Sequence, residues 1–288
     1  MAARTRVLLQ CSIAHEVDDW HVGRFSLLAE ELGRWCDVTA RNREPDSTGL
    51  DPVLLGLGRT GFDVVWLLGV DGGTALAPAE IAALNRFQRE GGGLLTARDH
   101  CNMGLWLRGI EGSGAAHFFH DATCAEPDES RRARDDQDTP TIDFPNYHSG
   151  RNGDVQPVAI PGAVHSLMRN PGAASGRISV FPSHPHEGAV GVPSGETRAQ
   201  TVARGRSTAT GRAFDLVVAF DRTAAMPGRA IAESSFHHFA DYNWDIAKGA
   251  PSFVIEPPGD AIRNDPALLD DIRAYVKNCV EWLAADAG

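Results

Sequence analysis

The run His184-Pro185-His186-Glu187 puts two imidazoles and a carboxylate within four positions. In an extended segment His184 and His186 point the same way, a spacing that suits two ligands of one metal ion. A third ligand has to come from elsewhere, with His237, His238, Asp241 or His15 as candidates, and there is no HExxH helix motif. The same run also reads as a Pro-kinked loop whose histidines bond to backbone. Asp99-His100 is a second pair, a carboxylate and an imidazole fit for general acid–base work or for holding sugar hydroxyls. Its structural alternative is a helix-capping Asp99 with a packed His100. Cys101 beside them is a candidate nucleophile, because a thiolate at a helix N-terminus is stabilised by the dipole and activated by an imidazole. The alternative is a small, partly buried thiol. His237-His238, followed by Asp241, Tyr242, Asn243 and Trp244, is the densest polar-aromatic cluster in the chain. Adjacent strand residues face opposite ways, so only one of the two histidines is expected to reach a crevice. Trp244 and its aromatic neighbours offer either a platform for sugar stacking or packing under the last helix.

These groups collect where predicted strands end. The apolar run Arg6–Gln10 leads to Cys11, His15, Asp18, Asp19 and His21; Phe62–Leu68 leads to Gly69–Gly73; Gly93–Ala97 leads to Arg98–Cys101; Arg229–Ser235 leads to His237 and His238. Between them lie helical patterns. Phe25, Leu28, Ala29 and Leu32 repeat at helical spacing, and Pro78 with Glu80 opens a second helix that Gly91-Gly92-Gly93 ends. Alternating strand and helix with short links implies right-handed crossovers and a mainly parallel sheet, whose ligands bind beyond the carboxyl ends of the strands. Further strands are expected over Cys36–Arg41, Val155–Ile160, Ile178–Phe181 and Phe214–Phe220. A last helix, capped by Asn264 or Asp265 with Pro266 at its first position, carries the stripe Leu269, Ile272, Val276, Val280 and Leu283. Residues Ala115–Gly153 are irregular, with three prolines and a basic cluster (Arg131, Arg132, Arg134) set against acids, and read as an excursion over the sheet edge. With no linker and no repeat, the 288 residues read as one domain.

Net charge is −11, from 27 Lys+Arg against 38 Asp+Glu. That argues against nucleic acid and anionic membrane surfaces, which attract basic patches. No apolar run is long enough to span a bilayer, and the N-terminus does not read as a signal peptide. Five widely spaced cysteines without a CxxC pair suit a reducing cytoplasm. There is no Walker loop, no dinucleotide-type GxGxxG after a strand, and no GxSxG elbow. The expected partner is a small-molecule substrate, with a homo-oligomer allowed.

The order of motifs from Asp63 to His100 resembles the class I glutamine amidotransferase-like superfamily, and within it most closely the ThuA-like (trehalose utilisation) family. The shared features are a buried strand ending at Gly72-Gly73, a helix opening Pro78-Ala79-Glu80, the triple glycine Gly91–Gly93 and a strand closing on His100. Gly109–His120 and Gly228–His237 match later segments of that family. The resemblance implies a flavodoxin-like three-layer α/β sandwich. By analogy with the amide-hydrolysing members, it implies Cys101 as nucleophile, Gly72 and Gly73 as oxyanion donors and His237 or His238 as base. The chain departs from that pattern: Asp99 and Met103 stand where small residues flank the nucleophile, and ThuA-like proteins generally lack the cysteine triad.

Three functions follow as expectations. The first is a small-molecule, carbohydrate-related hydrolase working through Asp99, His100, Cys101, His237 and His238. In it His15, Asp18, Gly72, Gly73, Asp241 and Trp244 bind substrate and no cofactor is required. The second is a hydrolase dependent on a divalent metal such as zinc at His184 and His186. The third is a non-catalytic ligand-binding or interaction module.

Overall fold

Strand burial with a period of two sorts the apolar side chains into two cores. The computed structural model describes residues 3–73, 75–117, 128, 135, 142 and 146–284. Its strands are β1 (Arg6–Cys11), β2 (Asp37–Arg41), β3 (Val64–Leu68), β4 (Gly93–Ala97), β5 (Val155–Pro157), β6 (Val180–Pro182), β7 (Ala199–Arg206), β8 (Ala213–Phe220) and β9 (Ala230–Glu233). The helices are α1 (Ser26–Gly33), α2 (Pro52–Leu55), α3 (Pro78–Arg89), α4 (Asp241–Trp244), α5 (Ala261–Asn264) and α6 (Asp270–Ala284). Seven strands form one sheet in the order β2-β1-β3-β4-β9-β8-β7, while β5 and β6 pair separately. The first five in that order run parallel; β8 runs antiparallel to its neighbours β9 and β7.

Val7, Leu9, Trp66 and Leu95 face one core with Leu28 and Leu32 of α1 and Ile272, Tyr275 and Val276 of α6. Leu8, Val65, Leu67 and Leu94 face the other, with Leu54 of α2 and Leu84 and Phe87 of α3. A sheet covered on both faces is why β3 and β4 are apolar at every position but Thr96 and buried throughout. The result is a flavodoxin-like α/β sandwich. Among the described residues no helix is long and apolar enough to cross a membrane.

The predicted strands fall in place with small shifts. Val155–Ile160 shortens to β5 and Arg229–Ser235 to β9. The loss at β9 has a consequence: His237 and His238 sit not on a strand but in a 3-10 turn, Phe236–Phe239, so strand alternation does not govern where they point. Strand β7 is the one that patterning does not anticipate. It is the edge strand, half-polar and irregular in register around Val202, and so carries little apolar periodicity. Most of the 115–153 excursion, with the basic cluster and the end of Gly109–His120, lies outside the described residues.

Candidate functional site

Parallel strands deliver their carboxyl ends to one edge, and the register Ala97↔Glu233 sets the turn after β4 beside the turn after β9. Arg98, 1% exposed, shapes the first of these turns: its guanidinium donates to the Met103 carbonyl at 2.7 Å and to the Cys101 carbonyl. Asp99 follows, also buried. One carboxylate oxygen, Oδ1, accepts from the Gly188 N–H at 3.2 Å. The other, Oδ2, has no hydrogen-bond partner. It faces three imidazole Nε2 atoms instead, of His184 at 3.4 Å, His237 at 3.5 Å and His100 at 3.6 Å.

Two of the imidazoles are held from behind. The amide oxygen of Asn152 lies 2.9 Å from Nδ1 of His184, where it can only accept, and this contact turns Nε2 of the ring toward Asp99. His237 stacks on His184 with ring centroids 3.5 Å apart and meets the edge of Trp20 at 4.8 Å. The Ser235 hydroxyl caps its turn by accepting from the His237 N–H. His100 is the most open of the three. Burial pushes the Asp99 carboxyl up, but the three imidazoles outweigh it and hold the group well below the carboxylate range. Burial depresses His100 to about 4, against the pull of Asp99. Burial and the neighbouring His184 drive His237 well below its ordinary value. An ionised carboxylate thus sits among imidazoles of which at least two are disfavoured as cations.

Asp99, His184 and His237 are a group that could hold a metal ion. Two ligands at about 2.1 Å from a tetrahedral zinc ion are about 3.4 Å apart, close to the separations of Asp99 from His184 and His237. One ligand atom from each of Asp99, His184 and His237 lies within 4.8 Å of the others. The same separations are long for hydrogen bonds, so without an ion the buried Oδ2 is left unsatisfied.

The expected ligand pair His184 and His186 does not form. The two rings are 6.1 Å apart and nearly perpendicular, and Nε2 of His186 pairs with the Glu256 carboxylate at 2.9 Å. Burial raises the Glu256 carboxyl, yet the hydrogen bond from His186 helps bring it below its usual range.

His238 turns away from Asp99. It lies fully buried between Glu187 (2.7 Å) and Glu233 (3.3 Å), with the Tyr275 hydroxyl donating to Glu233. Ser234 and Gln156 also donate to Glu187. Burial opposes the His238 charge, but the two carboxylates overcome it and raise the imidazole to about 10. Burial likewise lifts the Glu233 carboxyl, against the hydrogen bond from His238.

Other expected site residues have structural work. Asp241 accepts from the Ser26 hydroxyl and the Leu27 N–H, tying α4 to α1. Trp244 is buried and donates to the His238 carbonyl, so it is no stacking platform. The Gly73 N–H donates to Asp71 at 2.7 Å and is spent as an oxyanion donor. Gly73 has φ +118°, and a Cβ there would sit 2.9 Å from the Asn102 carbonyl, so this turn packs directly on the Cys101 turn. Gly72 has open space where a Cβ would stand. Cys101 is half-buried with φ 52°, the one positive φ outside glycine among the described residues. His15 is exposed and meets His21 edge-on; Asp18 is exposed and bonds to Ser252.

Asn152, Trp20, Gly188 and Glu256 are beyond the reach of the sequence patterns. Glu233 carries a usable signal, a charge inside an apolar strand run. Asn152 and Glu256 carry none.

A separate cavity of about 580 Å³ over the β7–β8 hairpin is lined by Tyr147, Phe214, Arg204 and Asp215, the last two paired to each other. It holds no comparable cluster among the described residues.

No family model and no curated protein matches the sequence. Among solved structures the chain is similar to a ThuA-like protein from Parabacteroides merdae, with 13% identity, TM-score 0.48, and 90% of this chain and 96% of that one covered. It is also similar to a GMP synthase subunit of Thermoplasma acidophilum (11% identity, TM-score 0.39, 98% and 97% covered). A third is the glutaminase domain of Trypanosoma brucei CTPS (12%, 0.40, 95% and 94%). These are likenesses of fold.

Proposed function

We propose that this chain is a small-molecule hydrolase in which Asp99, His184 and His237 hold one divalent metal ion such as zinc. The observation that supports the reading is the buried Asp99 Oδ2, with no hydrogen-bond partner and two imidazole Nε2 atoms at metal-ligand separation. An ion bound there supplies Lewis acidity and makes water a usable nucleophile at neutral pH. The chain's own residues do the rest. Asn152 fixes the His184 tautomer, as groups behind metal-ligating histidines commonly do. Trp20 and Phe236 fix the His237 ring and exclude water from its face. His100 is neutral near pH 7, partly open and 3.6 Å from Asp99, and so is placed to accept or return a proton.

The test is elemental analysis of purified protein with a hydrolysis screen over lactones, esters, amides and glycosides. Stoichiometric metal, and activity lost to a chelator and restored by zinc, is the expected result. Full hydrolysis by metal-free protein sinks the proposal.

One observation favours a second reading. The left-handed Cys101 at a strand end is the kind of strained turn that presents a nucleophile. Alkylation with iodoacetamide separates the two, since activity that survives complete alkylation removes the thiol.

A further inference from the structure

We propose that the chain forms a two-fold dimer in which β2, at one edge of the seven-stranded sheet, pairs antiparallel with β2 of a second copy, with Thr39 on the axis. The inference is independent of the metal-site reading.

The two edges of the sheet are finished differently. Strand β7 is interrupted and covered. Its register with β8 shifts around Ala203, and on its outer side Arg204 and Ala159 exchange two N–H to carbonyl bonds of 2.8 Å. Strand β2 has neither device. It pairs with β1 over all five residues without a shift and contains no proline. The Asp37 N–H donates to the Thr5 carbonyl, so Asp37, Thr39 and Arg41 turn their backbone groups toward β1 while Val38 and Ala40 turn theirs outward. Those two N–H and two carbonyl groups have no partner among the described residues. Asp37, Thr39 and Ala40 are exposed. An open edge of this kind is a template for another strand.

The sequence Asp37-Val38-Thr39-Ala40-Arg41 fits a second copy of itself. With Thr39 of one copy opposite Thr39 of the other, Val38 lies opposite Ala40 on both sides of the axis. Each of these two pairs exchanges both of its outward N–H and carbonyl groups, as hydrogen-bonded antiparallel pairs do. The same register sets Asp37 of one copy opposite Arg41 of the other, twice. Asp37 already holds Arg4 at 3.3 Å, and Arg41 lies 3.4 Å from Glu44 while keeping its bond to Asp51. Each side of the axis thus becomes a row of alternating charge, Arg4, Asp37, Arg41 and Glu44. Parallel pairing in register would instead set Asp37 on Asp37 and Arg41 on Arg41, which is unfavourable. A different protein would have to bring both a free edge and the opposite charges. A second copy brings both by symmetry, and the contact closes on itself.

The test is sedimentation of the full-length protein across the micromolar range, with three variants at exposed positions of β2. The unaltered protein is expected to show a reversible, concentration-dependent dimer. Thr39→Lys sets two like charges face to face on the axis and is expected to weaken that dimer by at least about tenfold. Thr39→Cys places two thiols at a non-hydrogen-bonded pair, with Cα atoms about 4.5 Å apart and within the span of a disulfide. Mild oxidation is expected to convert it to a covalent dimer that reductant reverses, while the unaltered protein, treated alike, stays uncross-linked. Ala40→Cys meets its counterpart only diagonally, about 7–8 Å away, and is expected to cross-link far less. A protein that stays monomeric throughout, with no cross-link through Thr39→Cys, overturns the proposal. So does a dimer that Thr39→Lys leaves unchanged, which would be built on another surface. Equal cross-linking through Thr39→Cys and Ala40→Cys overturns the register on which the argument rests.

Discussion

His237 and His238 are neighbours in sequence, both buried, and each lies near carboxylates, yet they belong to opposite kinds of site. Around His238 the charged groups are matched. Glu187 and Glu233 flank the imidazole, Tyr275 donates to Glu233, and Ser234 and Gln156 donate to Glu187. Around His237 they are not. Asp99 Oδ2 and His237 Nδ1 have no hydrogen-bond partner, and the imidazoles stand off from the carboxylate at separations long for a bond. A buried polar group left unmatched costs free energy that the fold has to carry. The matched region reads as scaffold and the unmatched one as a place prepared for something that binds.

Substitution tests that contrast most strongly on the matched side. Glu187→Ala leaves His238 buried beside one carboxylate instead of two and is expected to lower the stability of metal-free protein by about 3–5 kcal/mol in denaturant titrations. A loss below about 1 kcal/mol means the array is not scaffold. On the unmatched side the effects should exchange. Asp99→Asn is expected to weaken zinc binding by more than about 100-fold, exceeding what loss of a supporting contact does. The same change is expected to lower metal-free stability by less than Glu187→Ala does, because the Asp99 carboxylate loses its attraction to the three imidazoles but has no hydrogen-bond partner at Oδ2 to lose. If Asp99→Asn instead destabilises the metal-free protein as Glu187→Ala does, the two regions are alike and the comparison breaks. Asn152→Ala sharpens it further: about a 10–100-fold loss of zinc affinity, read by competition with a chromogenic chelator.

The smallest effect concerns a third buried histidine. His117 has Thr96 as its hydrogen-bonded neighbour at 2.9 Å, and burial holds it well below its ordinary 6.5. As pH falls the unfolded chain takes up this proton before the folded one does. The His117 contribution is therefore intact above about pH 6.5 and is lost progressively below it, with a slope of at most about 1.4 kcal/mol per pH unit. His117→Gln should flatten that part of the stability profile of metal-free protein. An unchanged profile means the ring is protonated in the fold.

Sequence patterning is informative where one residue's neighbours along the chain decide its place. The apolar runs of β1, β3 and β4 and the Pro-opened α3 are of this kind, since burial on both faces demands largely apolar strands. Asp99, His184 and His237 are each visible as chemically capable residues. Their grouping is not, because the proposed ligand set combines one member from each of three separate motifs, while the adjacent pairs that draw notice, His184 with His186 and His237 with His238, are split between different partners. Asn152 and Glu256 are invisible for the same reason: a hydrogen bond across the fold leaves no local signature. Asp241 and Trp244 mislead because a polar-aromatic cluster looks alike whether it faces a cleft or braces a helix.

The pairing of β4 with β9 has a kinetic consequence. Strands β1 to β4 are close together in the chain and can pair early, whereas β9 must cross most of the remaining chain to dock beside β4. Contacts of such high sequence separation form slowly, after their loop-closure cost has been met. Asp99 is then in place well before His237 arrives, and its carboxylate stays in water until that moment. Zinc uptake during refolding should therefore lag behind the recovery of helical signal, and its half-time would clock the last strand entering the sheet.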